Sequence, residues 1–398
     1  MYEIIINKTE ENIKKLLLVK DGELLEKYEL REDKARCEGN IYLGKVQNIL
    51  TGMQAAFVDI GKSKNTFIHL KDLLPKVDEK NTNNEQDIIN TNIKSVVQKG
   101  MSILVQIKRD STSNKGARVS THISITGKYI VLMPETDFVT ISQKIEDIKE
   151  AEKLKQLVQK LLPKGFGAII RTAALGKSEE ELEKDIKLLC SKWIKIKKLS
   201  KNTETAPKLI YKSDSILKKM FVDMISETID KVVVNSEEIY KEILEILKEL
   251  ENTKTIVELS SDENILYKYD LKKQLEKTEN RKIWLDCGGF ITIDKTEALI
   301  AIDVNSGKYI GLPEQTMEDT VFTVNKEATI EIAKQLRLRD LGGIIIIDYI
   351  DMVNDNNKKA IMELLAKQLK SDRTKTQIIG FTPLNLLEMT RKHIWNNE

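Results

Sequence analysis

Ala298-Leu-Ile-Ala-Ile-Asp-Val-Asn305 and Gly343-Ile-Ile-Ile-Ile-Asp348 decide how the C-terminal third of this chain folds. In each, an isoleucine-rich apolar run leads into an aspartate, and runs of that length read as buried central strands. The segment between them includes an amphipathic helix, so the unit is strand–helix–strand. Such a crossover makes the strands parallel and brings Asp303 and Asp348 to the same sheet edge. A carboxylate there is costly unless it is paired or coordinates a cation. Two hard oxygen donors suggest a Mg²⁺ or Mn²⁺ site, with the Asn305 amide orienting one carboxylate. The competing reading is that both aspartates merely end strands and cap turns. Delivery of two to one edge, one within an Asp-x-Asn pair, favours the cation site.

With 398 residues the chain exceeds one ordinary core, and about two to four domains are expected. No apolar stretch reaches the length of a membrane span, and Met1-Tyr-Glu-Ile-Ile-Ile6 carries no basic leader pattern. A cytoplasmic location without membrane contact is the expectation. Cys37, Cys190 and Cys287 are far apart with no CxxC spacing, which argues against a disulfide framework or a local zinc knuckle. The net charge of +2 announces no polyanion ligand. Lys192, Lys195, Lys197, Lys198 and Lys201 cluster at a helix end, where they suit the macrodipole. Lys334, Arg337 and Arg339 precede the Asp348 strand and would serve a phosphodiester substrate if they faced the acidic site.

The first thirty or so residues read as strands, Tyr2 to Ile6, Lys14 to Val19 and Leu24 to Leu30, too few to bury a core alone. A partner later in the chain is required, so this domain is interrupted by an insertion. Short strands with frequent turns follow from Cys37 to Ile125, the pattern of a small β-barrel. Within it, the polar stretch between Lys76 and Asn92 reads as a low-complexity loop without chemistry. From Thr126 to Ala206 a strand pair leads to Gly167-Ala-Ile-Ile-Arg171-Thr172 and a helix opening at Ser178. Ser178 and Glu181 form a capping box, and Leu182, Ile186, Leu189, Trp193 and Ile196 make a core stripe. Residues 207 to 278 mix helix with short strands and are the expected partner of the N-terminal strands. Residues 279 to 398 are α/β and contain the acidic site.

The barrel presents Phe57 and Phe67, with Lys115, Lys108, Arg109 and Arg118 near them in sequence. Exposed aromatics on such a barrel stack on bases while cations follow the backbone. Phe57 and Val58 face opposite sides of a strand, so only one is core, and the alternation alone leaves open which. Arg171 and Thr172 end an apolar strand just before a helix start, a reasonable phosphate pocket. Gly176-Lys-Ser178 lacks the first glycine of a P-loop because position 171 is Arg, which excludes nucleotide hydrolysis of that kind.

Several stretches together resemble the catalytic half of the ribonuclease E/G family. They include Gly39-Asn-Ile-Tyr-Leu-Gly-Lys45, Gln54-Ala-Ala-Phe-Val-Asp59, Asn114-Lys-Gly-Ala117, Ile170-Arg-Thr-Ala173, Ala301-Ile-Asp-Val-Asn-Ser306, Arg337-Leu-Arg-Asp-Leu-Gly-Gly343 and Ile347-Asp-Tyr-Ile-Asp-Met352. They run in the family's order from about residue 39 to 391, and the Arg337 to Met352 block is the most specific. The resemblance implies a multidomain α/β fold. A split RNase H-like domain (1–36 and 207–278) would hold an inserted S1 barrel of OB type (37–125) and a 5′-sensor (126–206). A DNase I-like catalytic domain (279–398) would follow.

By the same resemblance, Asp303 and Asp348 would ligate Mg²⁺, or Mn²⁺, with Asn305 in support. Phe57, Phe67 and Lys115 would grip single-stranded RNA. Arg171 and Thr172, with Gly127 and Val131, would bind a 5′-monophosphate. The implied activity is metal-dependent endonucleolytic cleavage of single-stranded RNA, in rRNA processing and mRNA decay. The family's Cys-Pro-x-Cys element is missing before Asn396-Asn-Glu398. No structural zinc is expected, and a homodimer would pair through the catalytic domain without a zinc link. Two other readings are a non-catalytic RNA-binding scaffold of the same fold, which should have lost its acidic residues, and a general phosphodiesterase or DNase.

Overall fold

A computed structural model describes residues 1–10, 13–31, 37–74, 91–111, 116–142, 144–145, 147–224, 229–262, 265–266, 270–311, 314 and 316–393. The chain is mixed α/β and forms two compact units, one of Met1–Asp33 with Thr228–Glu398, the other Lys34–Glu227. Most of the polar 76–92 stretch lies outside the described residues.

In the Lys34–Glu227 unit, five strands close into a barrel: Ile41–Leu50, Ala55–Asp59, Thr66–His69, Arg118–Ser120 and Ser102–Arg109. Closure comes from antiparallel pairing of Ile41–Lys45 with Ser102–Gln106. Alternating apolar residues fill it, among them Val46, Val58, Ile68, Val105 and Val119, all essentially buried. A separate sheet is ordered Val139–Ile141, Phe166–Ile170, Ile130–Pro134, Ile125–Thr126. The helix Glu179–Lys201 opens with the Ser178/Glu181 capping box and buries Leu182, Ile186, Leu189, Trp193 and Ile196. Trp193 is a core residue, as its spacing predicts.

In the other unit the first strand, Tyr2–Glu10, lies between Ile13–Lys20 and Lys231–Val234, antiparallel to the former and parallel to the latter. A six-stranded sheet runs in the order Lys282–Trp284, Phe290–Lys295, Ile300–Asn305, Gly343–Asp348, Leu386–Arg391, Thr376–Phe381. Only its central pair is parallel; the others are antiparallel. The helices Met317–Leu338 and Asp355–Leu369 cover one face. They pack on Ile291, Ile293, Ile302, Ile345, Ile347, Leu387 and Met389. Each isoleucine buried there contributes about 1.5–3 kcal/mol of transfer free energy.

The apolar runs lead to an expectation that the structure corrects. They read as buried central strands; the two strands are central in the sheet but buried on one face, and Ile344 on the other is 53 % exposed. The sheet is covered on one side, and its other face carries Asp303 and Asp348. The basic residues before the Asp348 strand are a second correction. Arg337 pairs with Glu26 of the Glu23–Arg31 strand, and Lys334 pairs with Glu23. Arg339 donates to Gln335 Oε1 and to the Asn280 carbonyl. Glu26 is fully buried, forms a second ion pair with Arg373 at 2.9 Å and accepts from the Tyr28 hydroxyl at 2.5 Å. These cations build the fold and do not face the carboxylates.

Candidate active site

Asp303 and Asp348 are register partners on the adjacent parallel strands. Their Cα atoms are therefore about 4.8 Å apart, with both side chains on the open face. Period-two alternation sets this: Ile302, Val304 and Ile347 go into the core, and Asp303, Asn305 and Asp348 go out. Asn305 Nδ2 donates to Asp303 Oδ2 at 2.6 Å, which fixes that carboxylate's plane. The cleft above them, about 280 Å³, is lined by Asp303, Asn305, Ser306, Asp348 and Asp351, among others.

Partial burial, then the charges of Asp303 and Asp351, hold the Asp348 carboxyl above the usual aspartate range. A group of carboxylates that disfavour one another's ionisation is what a cation neutralises. Among the described residues no set of three or more His, Cys, Asp or Glu is arranged to hold an ion. The donor set at this cleft is a pair, which suits a hard cation such as Mg²⁺ that keeps its waters and takes one or two carboxylates.

The segment after Asp348 is held by the long helix. Asn325, fully buried, donates Nδ2 to the Ile350 carbonyl at 2.8 Å and accepts from the Ile350 amide at 3.1 Å. Thr329 and Tyr349 share a hydroxyl–hydroxyl bond of 2.9 Å. Glu318 accepts from the Val353 and Asn354 amides and from Asn357 Nδ2. Those bonds, Asn357's first, hold its carboxyl below the usual range. Sequence reasoning assigned none of these residues, nor Asp351. For Asn325 and Thr329 the only signal is polarity within an apolar helical stripe.

On the barrel, Phe57 and Phe67 are direct cross-strand partners, with ring centroids 6.2 Å apart at 69°. Both are half-buried, while Ala56, Val58 and Ile68 fill the interior. The open question is thereby answered: Val58 is core and Phe57 faces out. Lys115 lies outside the described residues. Lys108 bonds Gln106 and Ser124, and Arg118 pairs with Asp72 at 2.7 Å, so both serve the barrel itself.

Gly127, Val131, Arg171 and Thr172 come together at the ends of the Ile130–Pro134 and Phe166–Ile170 strands. Val131 pairs with Ile169, and the Arg171 amide donates to the Tyr129 carbonyl. Arg171 Nη1 donates to the Gly127 and Lys128 carbonyls at 2.8 and 3.2 Å, and Nη2 pairs with Asp223 at 2.5 Å. The Thr172 and Ser142 hydroxyls are 3.4 Å apart. Asp185 was missed. Its carboxylate accepts the amides of Lys128, Tyr129 and Ile130, and burial raises its pKa against those three bonds. A Cβ on Gly127 would lie 2.7 Å from both Asp185 oxygens, so only glycine fits. Asp223 was also missed and left no signal in the sequence.

A family model described as the ribonuclease E/G family matches residues 124–394. The chain is 37 % identical over 393 residues to ribonuclease G of Salmonella typhimurium (strain SL1344), covering 98 % of this chain and 79 % of that protein. It is 36 % identical over 392 residues to ribonuclease G of Haemophilus influenzae, with the same coverage. Ribonuclease E of Escherichia coli (strain K12) is 34 % identical over 401 residues, which span 99 % of this chain but 37 % of that protein.

Proposed function

Because the chain belongs to the ribonuclease E/G family, we propose that it is a metal-dependent endoribonuclease that cuts single-stranded RNA. It would favour 5′-monophosphorylated strands and serve rRNA processing and mRNA decay. The observation that carries this reading is the in-register pair Asp303/Asp348 on the open sheet face.

A Mg²⁺ or Mn²⁺ ion held by the two carboxylates would neutralise charge developing on the scissile phosphate and acidify a water. The chain's own residues supply the geometry. Asn305 holds the Asp303 carboxylate in one plane. Asn325 and Glu318 immobilise the segment that follows Asp348. Such fixed placement is the positioning part of catalysis. Phe57 and Phe67, paired on the barrel's outer surface, would stack on bases, with Lys115 on the backbone. The domain reading is an S1 barrel and 5′-sensor set within a split RNase H-like domain, ahead of a DNase I-like domain. Barrel closure and the pairing of the first strand with Lys231–Val234 support it.

Arg171 would bind the 5′-monophosphate, with Thr172, Gly127 and Val131 around it. The Asp223 carboxylate already occupies one edge of that guanidinium, so a phosphate must displace it. Arg171→Ala is expected to equalise cleavage of 5′-monophosphate and 5′-hydroxyl strands. Asp223→Asn should raise the preference by up to about fivefold, the worth of a partly exposed ion pair. A preference unchanged in Arg171→Ala removes the sensor.

Labelled single-stranded RNA, duplex RNA and DNA, each incubated in Mg²⁺ and in EDTA, test the substrate class. Cleavage of single-stranded RNA in Mg²⁺ alone is expected. Equal cutting of DNA would favour a general phosphodiesterase, and RNA binding without cutting would favour a scaffold.

A further inference from the structure

A second side-chain cluster lies beside the paired carboxylates on the same open face. Trp284 is the register partner of Phe290, and Phe290 of Asn305. Cross-strand partners point to one face, so the three form a row on the side that carries Asp303. With strands roughly 4.8 Å apart, Trp284 lies about 10 Å from Asn305. The two rings meet edge to face, with centroids 5.3 Å apart at 63°. Trp284 stands outside the hydrophobic core and is 53 % exposed. Two ammonium groups flank it: Lys282 Nζ lies 4.1 Å from its centroid and 3.5 Å from that of Phe290, and Lys308 Nζ lies 5.9 Å from Trp284.

The loop after Asn305 is fitted to this pair. Gly307 has φ +56°, and a Cβ there would lie 3.1 Å from Phe290 Cδ1, 3.3 Å from Trp284 Cζ3 and 2.5 Å from the Gly288 carbonyl. The Lys308 amide donates to that same carbonyl at 2.9 Å. The aromatic pair and the strand bearing Asp303 and Asn305 therefore move as one surface.

We propose that Trp284, backed by Phe290 and flanked by Lys282 and Lys308, is a base-stacking subsite that holds a nucleotide of single-stranded RNA beside the Asp303/Asp348 cleft. An exposed indole offers a flat π-face to any base, and lysines beside it suit the phosphates on either side. Phe290 and the glycine-tight loop fix the indole's angle. The subsite rests on the reading that the substrate is RNA, and it places a gripping element on the catalytic sheet itself.

Binding of a labelled single-stranded RNA to the full chain, measured in EDTA, tests this. Trp284→Ala should weaken binding roughly 5- to 100-fold, and Trp284→Phe should keep most of it. Lys282→Gln should flatten the salt dependence. A single abasic residue moved along the strand should cost the wild type affinity at one position and cost Trp284→Ala nothing further there. Wild-type affinity in Trp284→Ala, or an abasic scan alike in both proteins, overturns the subsite. Cleavage in Mg²⁺ is read separately. Cleavage with binding indifferent to Trp284 overturns the subsite and leaves the nuclease reading, while Trp284-dependent binding without cleavage does the reverse.

Discussion

Replacing Asp348 by Asn is expected to abolish cleavage, by roughly a thousandfold or more, while leaving the fold as stable as the wild type or more so without divalent cation. The two effects share one cause. Partial burial and the Asp303 and Asp351 charges raise the Asp348 pKa in the fold. A carboxyl whose pKa rises on folding holds its proton more tightly in the fold than in the unfolded chain. Its ionised form therefore works against the fold above that pKa. Asn removes the charge, so the variant's advantage is present at neutral pH. The advantage shrinks as pH falls through the raised pKa towards the ordinary aspartate range. Mg²⁺ should raise the melting temperature of the wild type by mass action and leave the variant's nearly unchanged. A variant that melts well below the wild type in EDTA would show instead that Asp348 is a structural strand end.

Glu26→Ala should cost about 3–5 kcal/mol, because it strands guanidinium groups that share a fully buried carboxylate. Arg337 and Arg373, each only 14 % exposed, converge on Glu26. For a unit of this size the loss corresponds to a fall in melting temperature of roughly 6–20 °C. Lys334→Ala is the internal comparison. Its pair with Glu23 is exposed on both sides, so removing it should change stability by about 1 kcal/mol or less. Thermal or urea melts of the two variants decide the matter. Equal, small losses would mean that the buried cluster contributes no more than a surface pair.

Where local chemistry has a period, it was legible in the sequence. The Ser178/Glu181 cap, the Leu182 to Ile196 stripe and the parallel strands bearing Asp303 and Asp348 follow from spacing alone. Coverage of the sheet did not follow, because an all-isoleucine run does not say which face meets a helix. Arg337 shows a different limit. Close to Asp348 in sequence, it contacts a residue 311 positions earlier, and no local pattern reports that. Asn325, Asp185 and Asp223 are polar groups whose partners are backbone atoms or a guanidinium supplied by other elements. Their roles exist only in the folded chain.

The most direct measurement is the rate at which wild type and Asp303→Asn cut one 5′-monophosphorylated single-stranded RNA in Mg²⁺ and in EDTA, with RNA affinity measured alongside. Cleavage by the wild type in Mg²⁺ alone, and its loss in Asp303→Asn at nearly unchanged RNA affinity, is the predicted result. Cleavage by Asp303→Asn at the wild-type rate, or by the wild type undiminished in EDTA, would contradict the assignment of the paired carboxylates as the metal-binding catalytic centre.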